Sequence, residues 1–76
     1  MMKLYNLNAC PYCIMVRDKL KELNLEYETI NVPPSHRDRH EVFKVSGQYF
    51  VPVLVDDTTI LDDEEKILPY LDEKYG

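Results

Sequence analysis

The chain has 76 residues, enough for one small domain and near the lower limit at which a single core folds unaided. Hydrophobic residues make up 45% and charged residues 30%, which suits a packed globule rather than a disordered chain. Fourteen acidic against nine basic side chains give a net charge of −5, which argues against nucleic acid or anionic lipid as the main partner. Residues 3–7 then read as a short strand, and Asn8-Ala9 as a loop. Pro11 stops the strand and suits the first turn of a helix, where a missing N–H costs nothing. Cys13, Val16, Leu20 and Leu23 recur at helical spacing, so a helix is expected from Pro11 to Leu23, with Asn24 as its stop. A second strand follows at 26–32, with Ile30 and Val32 on one face and Pro33-Pro34 ending it.

Ser35 is a good N-cap for a polar helix from Arg37 to Val45, with Val42, Phe43 and Val45 on its apolar side. Gly47 closes that helix. Phe50-Val51-Pro52 leads into the β-forming run Val53-Leu54-Val55, Asp56-Asp57 makes a tight turn, and Thr58 to Leu61 returns. Asp62 or Asp63 caps a last helix whose core face is Ile67, Leu68, Leu71 and Tyr75. Pro69 should bend that helix or delay its start. The order β-α-β-α-β-β-α begins with a βαβ unit and ends with a hairpin. It predicts an α/β fold, a four-stranded mixed sheet with helices on both faces.

The chemistry concentrates in Cys10-Pro11-Tyr12-Cys13. A bridge between cysteines three apart closes too short a loop to staple a fold. A close Cys pair where a strand meets a helix is instead a redox signature. Cys10 precedes the helix, where unpaired N–H groups and the helix dipole favour a negative sulfur, so its pKa should fall below the free value of about 8.5. Cys13 lies one turn on, on the apolar face, and should be more buried and more protonated. Cys10 is then the attacking thiolate and Cys13 the resolving thiol. Tyr12 projects outward, to line a substrate groove or simply to stand exposed. Zinc would need further ligands; His36 and His40, four apart, fit on paper but read better as solvated residues on a polar helix face, so no metal site is expected.

These residues resemble the glutaredoxin family along nearly the whole chain. The resemblance is carried by Cys10-Pro11-Tyr12-Cys13 after a strand, Ser46-Gly47 before Val51-Pro52, and an acidic helix start after a hairpin. It implies the thioredoxin fold, thiol–disulfide oxidoreductase activity and electron transport from a thiol to client-protein disulfides in cell redox homeostasis. Glutathione or another low-molecular-weight thiol would be a co-substrate, with no tightly bound cofactor. It also implies a cis bond before Pro52, so that the Val51 backbone lies beside Cys10 and pairs with substrate. Asp63 and Glu64 stand where the family cradles the γ-glutamyl carboxylate, usually with Gly-Gly; acidic side chains there repel a carboxylate unless they turn away. Phe50 replaces the usual Thr. A basic residue before the first Cys is missing, and Arg37 or Arg39 would have to supply that charge, unless both are surface residues.

The tail, Val51 to Val55 and Ile67 to Leu71, also resembles the N-terminal domain of glutathione transferases, read as shared fold rather than shared activity. Two other roles in the glutaredoxin family remain open. One is an iron–sulfur cluster module using Cys10, the other an electron donor to ribonucleotide reductase fed by a thioredoxin reductase. No apolar run approaches the roughly 20 residues of a membrane span, and Met1 to Asn6 lacks the pattern of a signal peptide. A single cytoplasmic domain over 1–76, monomeric and off the membrane, is expected.

Overall fold

The computed structural model describes residues Met1 to Gly76. Strand β1 (Met2–Asn6) leads to helix α1 (Pro11–Glu22) and strand β2 (Glu28–Asn31). A single 3₁₀ turn, His36–Asp38, precedes α2 (His40–Ser46). The hairpin β3 (Val53–Asp56) and β4 (Thr59–Leu61) is followed by α3 (Glu64–Tyr75). The sheet order is β2-β1-β3-β4, with β1 parallel to β2 and antiparallel to β3. This is the mixed four-stranded sheet expected, and no helix is long and apolar enough to cross a membrane.

Strand alternation sorts the core into two layers. Met2, Leu4 and Leu54 point to one face and pack with Val16 and Leu20 of α1 and Ile67 and Leu71 of α3. Tyr5 and Val53 point to the other and pack with Val32 and with Val42 of α2. Helices therefore cover both faces. Helix α1 ends as its sequence requires. Asn24 adopts the left-handed conformation (φ 59°), donating its N–H to the Lys21 carbonyl, while Leu25 N–H reaches back to Leu20. That is a Schellman closure with Asn in the left-handed position, and Leu25 packs onto the core beside Leu20. Gly47 (φ 80°) closes α2 in the same conformation.

Four expectations need correction. The helix predicted from Arg37 to Val45 is broken: Ser35 makes no side-chain cap, and α2 starts only at His40. The break follows from Arg39, which is buried and spends its donors on backbone carbonyls. Phe43 does not join the core; it is exposed and stacks on Tyr49 at 4.7 Å. The hairpin turn is Asp57-Thr58 rather than Asp56-Asp57, because Asp56 pairs with Thr59 and turns inward. Pro69 does not delay α3, which starts at Glu64 because the Asp63 carboxylate accepts the Glu65 N–H. The bond Pro69 cannot make leaves the Glu65 carbonyl on an exposed turn, where water can serve it.

The face covered by α1 and α3 carries a polar residue at each end of the sheet. Asp56 is buried at one end, where its Oδ2 accepts hydrogen bonds from Tyr75 Oη (2.6 Å), Tyr70 Oη (2.7 Å) and Lys74 Nζ (3.1 Å). Burial alone would raise the Asp56 pKa; the bonds from Tyr75, Tyr70 and Lys74 outweigh it and hold the carboxyl below its ordinary range. Asp56 thereby pins the C-terminal turn of α3 to the hairpin. A folded-state pKa below the unfolded one contributes stability above the unfolded pKa, and that stability is lost as pH falls through the folded value. Asp56→Asn should therefore cost about 1–3 kcal/mol at neutral pH, from charged hydrogen bonds lost. In urea titrations the gap between wild type and variant should close as the pH drops below about 4, the free Asp value.

Candidate functional site

Cys10 is the N-cap residue of α1, in extended conformation (φ −75°, ψ 120°). Its N–H donates to the Leu7 carbonyl (3.0 Å), and its own carbonyl accepts the first helical bond, from Ile14 (3.0 Å). Its thiol caps nothing, so the sulfur of this half-buried residue is free for chemistry. Pro11 fills the first helical position without wasting a donor. Cys13, one turn further, is fully buried on the core face of α1. Burial pushes its thiol up to about 11; a Leu7 backbone hydrogen bond and the Arg17 charge act the other way, and the adjoining Cys10 thiol raises it again. Both cysteines are free thiols.

The loop that carries Cys10 is held from beneath. Asn6, fully buried at the end of β1, donates to Asn8 Oδ1 and Asn31 Oδ1 (both 3.0 Å) and accepts from Arg17 Nη1 (2.5 Å). Arg17 Nη2 also reaches the Asn8 carbonyl (3.4 Å). This hub joins β1, β2, α1 and the loop, and leaves no buried polar side chain unsatisfied. Three asparagines and an arginine scattered between positions 6 and 31 give no sequence signal of convergence.

A groove of about 380 Å³ is lined by Tyr12, Gln48, Phe50, Val51, Asp62, Asp63, Glu64 and Lys66. It brings together Tyr12, Val51, Asp63 and Glu64 from three separate elements. Its lining does not include Cys10, two residues before Tyr12, or Pro52, which is buried beside Val51 in the chain. The Val51–Pro52 bond is cis. Val51 N–H and C=O make no hydrogen bond within the chain. Gln48, Phe50, Asp62 and Lys66 join the groove without a sequence pattern that marks them as site residues, apart from the i,i+4 spacing of Asp62 and Lys66. A larger hollow of about 680 Å³, at Met1, Met2, Leu25 and Tyr27, lies at the opposite end of β1 and contains no cysteine.

The acidic end of the groove is largely occupied with itself. Asp62 pairs with Lys66 (2.7 Å), and Asp63 caps α3. The Glu64 side chain and then the Glu65 N–H hold the Asp63 carboxyl below its ordinary range, and the same Asp63 contact raises Glu64. Arg37 is exposed, but Arg39 is not the surface residue, or the source of charge for the groove, that the sequence suggested: it is 4% exposed and bonded to Pro33, Pro34 and Tyr49 carbonyls. His36 and His40 sit on separate elements, and no three His, Cys, Asp or Glu side chains converge as a metal-binding group.

Residues 4–76 match the family model described as glutathione S-transferase, N-terminal domain. A zeta-class glutathione S-transferase of Euphorbia esula is 33% identical over 76 residues, covering 97% of this chain and 34% of that protein. An uncharacterized glutaredoxin-like 8.6 kDa protein in the rubredoxin operon of Clostridium pasteurianum is 33% identical over 61 residues, covering 80% of this chain and 81% of that one. A glutathione transferase homologue from Drosophila mojavensis, solved with bound glutathione, superposes with a TM-score of 0.90 at 32% identity, over 99% of this chain and 35% of that one. The chain thus spans about a third of these transferases and four-fifths of the glutaredoxin-like protein.

The difference in depth between the two thiols has a direct readout. Under limiting iodoacetamide at neutral pH, peptide mass spectrometry should find Cys10 alkylated and Cys13 intact. Cys13 labelling should rise only as the pH approaches about 11. Equal labelling of both at neutral pH would contradict the burial described.

Proposed function

This chain belongs to the glutathione S-transferase N-terminal-domain family, with the thioredoxin-like fold it shares with glutaredoxins, and we propose that it is a dithiol thiol–disulfide oxidoreductase. The observation that carries this reading is the unequal pair on the first turn of α1. Cys10 stands at the helix N-terminus with an unengaged sulfur, and Cys13 lies behind it, protonated and in reach.

The Cys10 thiolate attacks one sulfur of a substrate disulfide. A Cys10–substrate bond forms, the substrate S–S bond breaks, and the first substrate thiolate leaves and takes a proton from water. Cys13 then attacks the Cys10 sulfur, its proton passing to the departing second substrate sulfur. The Cys10–Cys13 bond forms, the second substrate thiol leaves, and the substrate has gained two electrons. Two molecules of a low-molecular-weight thiol return the pair to dithiol by the reverse exchanges. The glutathione bound to the Drosophila mojavensis homologue makes glutathione the first thiol to test.

The substrate arm lies along Val51, whose unpaired N–H and C=O can accept it as an added strand. Tyr12 and Phe50 supply apolar walls. Asp62 is neutralised by Lys66, Asp63 is turned to the helix cap, and the Glu64 side chain is held to Asp63, so the acidic end that the arm reaches is engaged with itself. Conjugating glutathione to an electrophile would have no use for a second cysteine, which is why exchange is favoured over transfer.

Trapping tests the roles. Mixed with glutathionylated peptide, Cys13→Ser should accumulate one glutathione per chain on Cys10 by intact mass, and Cys10→Ser should accumulate none. Wild type should end with an internal Cys10–Cys13 bond. Reduction by Cys10→Ser at the wild-type rate would overturn the assignment. Conjugation of glutathione to an aryl halide that survives both substitutions would instead assign transferase chemistry.

A further inference from the structure

Arg39 is the least expected side chain in the molecule. It is 4% exposed, and none of the five ion pairs includes it. A buried cation without an anion is costly unless its donors are met. Each nitrogen of the Arg39 guanidinium meets a main-chain carbonyl: Nε donates to Pro33 (2.8 Å), Nη2 to Pro34 (3.1 Å) and Nη1 to Tyr49 (3.1 Å). The planar fork of an arginine can bridge two chain segments in this way; a lysine ammonium cannot reproduce it.

The two segments differ in stiffness and in use. Pro33-Pro34 follows the last β1–β2 hydrogen bond, Val32 N–H to Asn6 carbonyl, and both residues have φ fixed by their rings. Tyr49 lies two residues before Val51, in a loop that bonds mainly to itself. Gln48 Nε2 donates to the Phe50 carbonyl (3.1 Å) and Ser46 Oγ (3.0 Å), and Gln48 Oε1 accepts the Phe50 N–H. Among the hydrogen bonds of residues 48–50, only the one from Arg39 crosses to a part of the chain outside 46–50.

We propose that Arg39 is a substrate-positioning residue: its buried guanidinium fixes Tyr49 to the proline-stiffened end of β2 and so sets the unpaired Val51 main chain at the groove. The inference rests on the reading above, in which Val51 receives the substrate arm. Arg39 touches neither cysteine; it acts through the loop. Its loss should therefore weaken binding of an extended disulfide and spare the reactivity of Cys10 towards a reagent that needs no strand pairing.

Arg39→Lys separates the two. For a glutathionylated peptide, KM should rise about tenfold with kcat within about twofold of wild type, as expected when binding geometry and not chemistry is lost. The second-order rate of Cys10 with iodoacetamide should not change. Asp56→Asn, which loosens the other end of the fold, should keep the wild-type KM. A folded Arg39→Lys with wild-type KM overturns the proposal, as does an iodoacetamide rate that falls in step with kcat/KM. Should the variant not fold, wild type answers the question by NMR titration with S-methylglutathione. The Arg39 Nε–H and Val51 amide resonances should shift together with one Kd, and a Val51 shift with Arg39 unmoved overturns the proposal. A wild type that neither turns over nor shifts Val51 overturns the functional reading itself.

Discussion

A single helical turn imposes a depth difference on Cys10 and Cys13, and the arrangement around the pair depends on it. Residues three apart on a helix lie on the same side, one above the other. Placing Cys13 on the core stripe with Val16 and Leu20 therefore puts Cys10 at the rim of that same side, just outside the helix. Burial then keeps one thiol protonated, and the N-cap position leaves the other sulfur uncommitted. The chemistry of the pair is thus a consequence of how α1 packs on the sheet, and anything that shifts α1 shifts the chemistry with it.

The rest of the molecule works to fix that packing. On the α1/α3 face of the sheet, apolar contacts fill the middle and a satisfied polar cluster closes each end. Asp56 ties α3 to the hairpin at one end. Asn6 ties β1, β2 and α1 to the Cys10 loop at the other. Such networks, once every donor is met, specify a unique arrangement more sharply than apolar contacts can. The opposite face carries α2 and, through Arg39, the loop that presents Val51. The thiol pair and the unpaired Val51 main chain are thus held by different layers of the fold.

Elements governed by local rules were legible in the sequence. The 3-4-3 spacing of Cys13, Val16, Leu20 and Leu23, the Asn24 stop, the Gly47 stop and the β-forming run at Val53 each depend on neighbours within a turn or two, and each stands where its pattern puts it. What failed depended on distant partners. The α2 start moved because Arg39 answers carbonyls on both sides of it, including Tyr49 ten residues on. The hairpin turn shifted by one residue because Asp56 is recruited by Tyr70 and Tyr75 of α3. Phe43 left the core because Tyr49 offers a ring to stack on at the surface. At the site, the cysteine motif was readable, whereas the Asn6–Arg17 hub arises only when distant segments meet in the fold, and the self-engagement of Asp62 and Asp63 depends on how their side chains turn at the start of α3.

The most direct test of the central claim is steady-state reduction of a glutathione-mixed disulfide by the purified chain, with glutathione and its reductase as the electron source and thioredoxin reductase in a parallel assay. Turnover with glutathione is expected, and it would also show that the acidic start of α3 tolerates the γ-glutamyl end. Absence of turnover from either source, in a folded protein with both thiols free, would contradict the dithiol exchange proposed for Cys10 and Cys13.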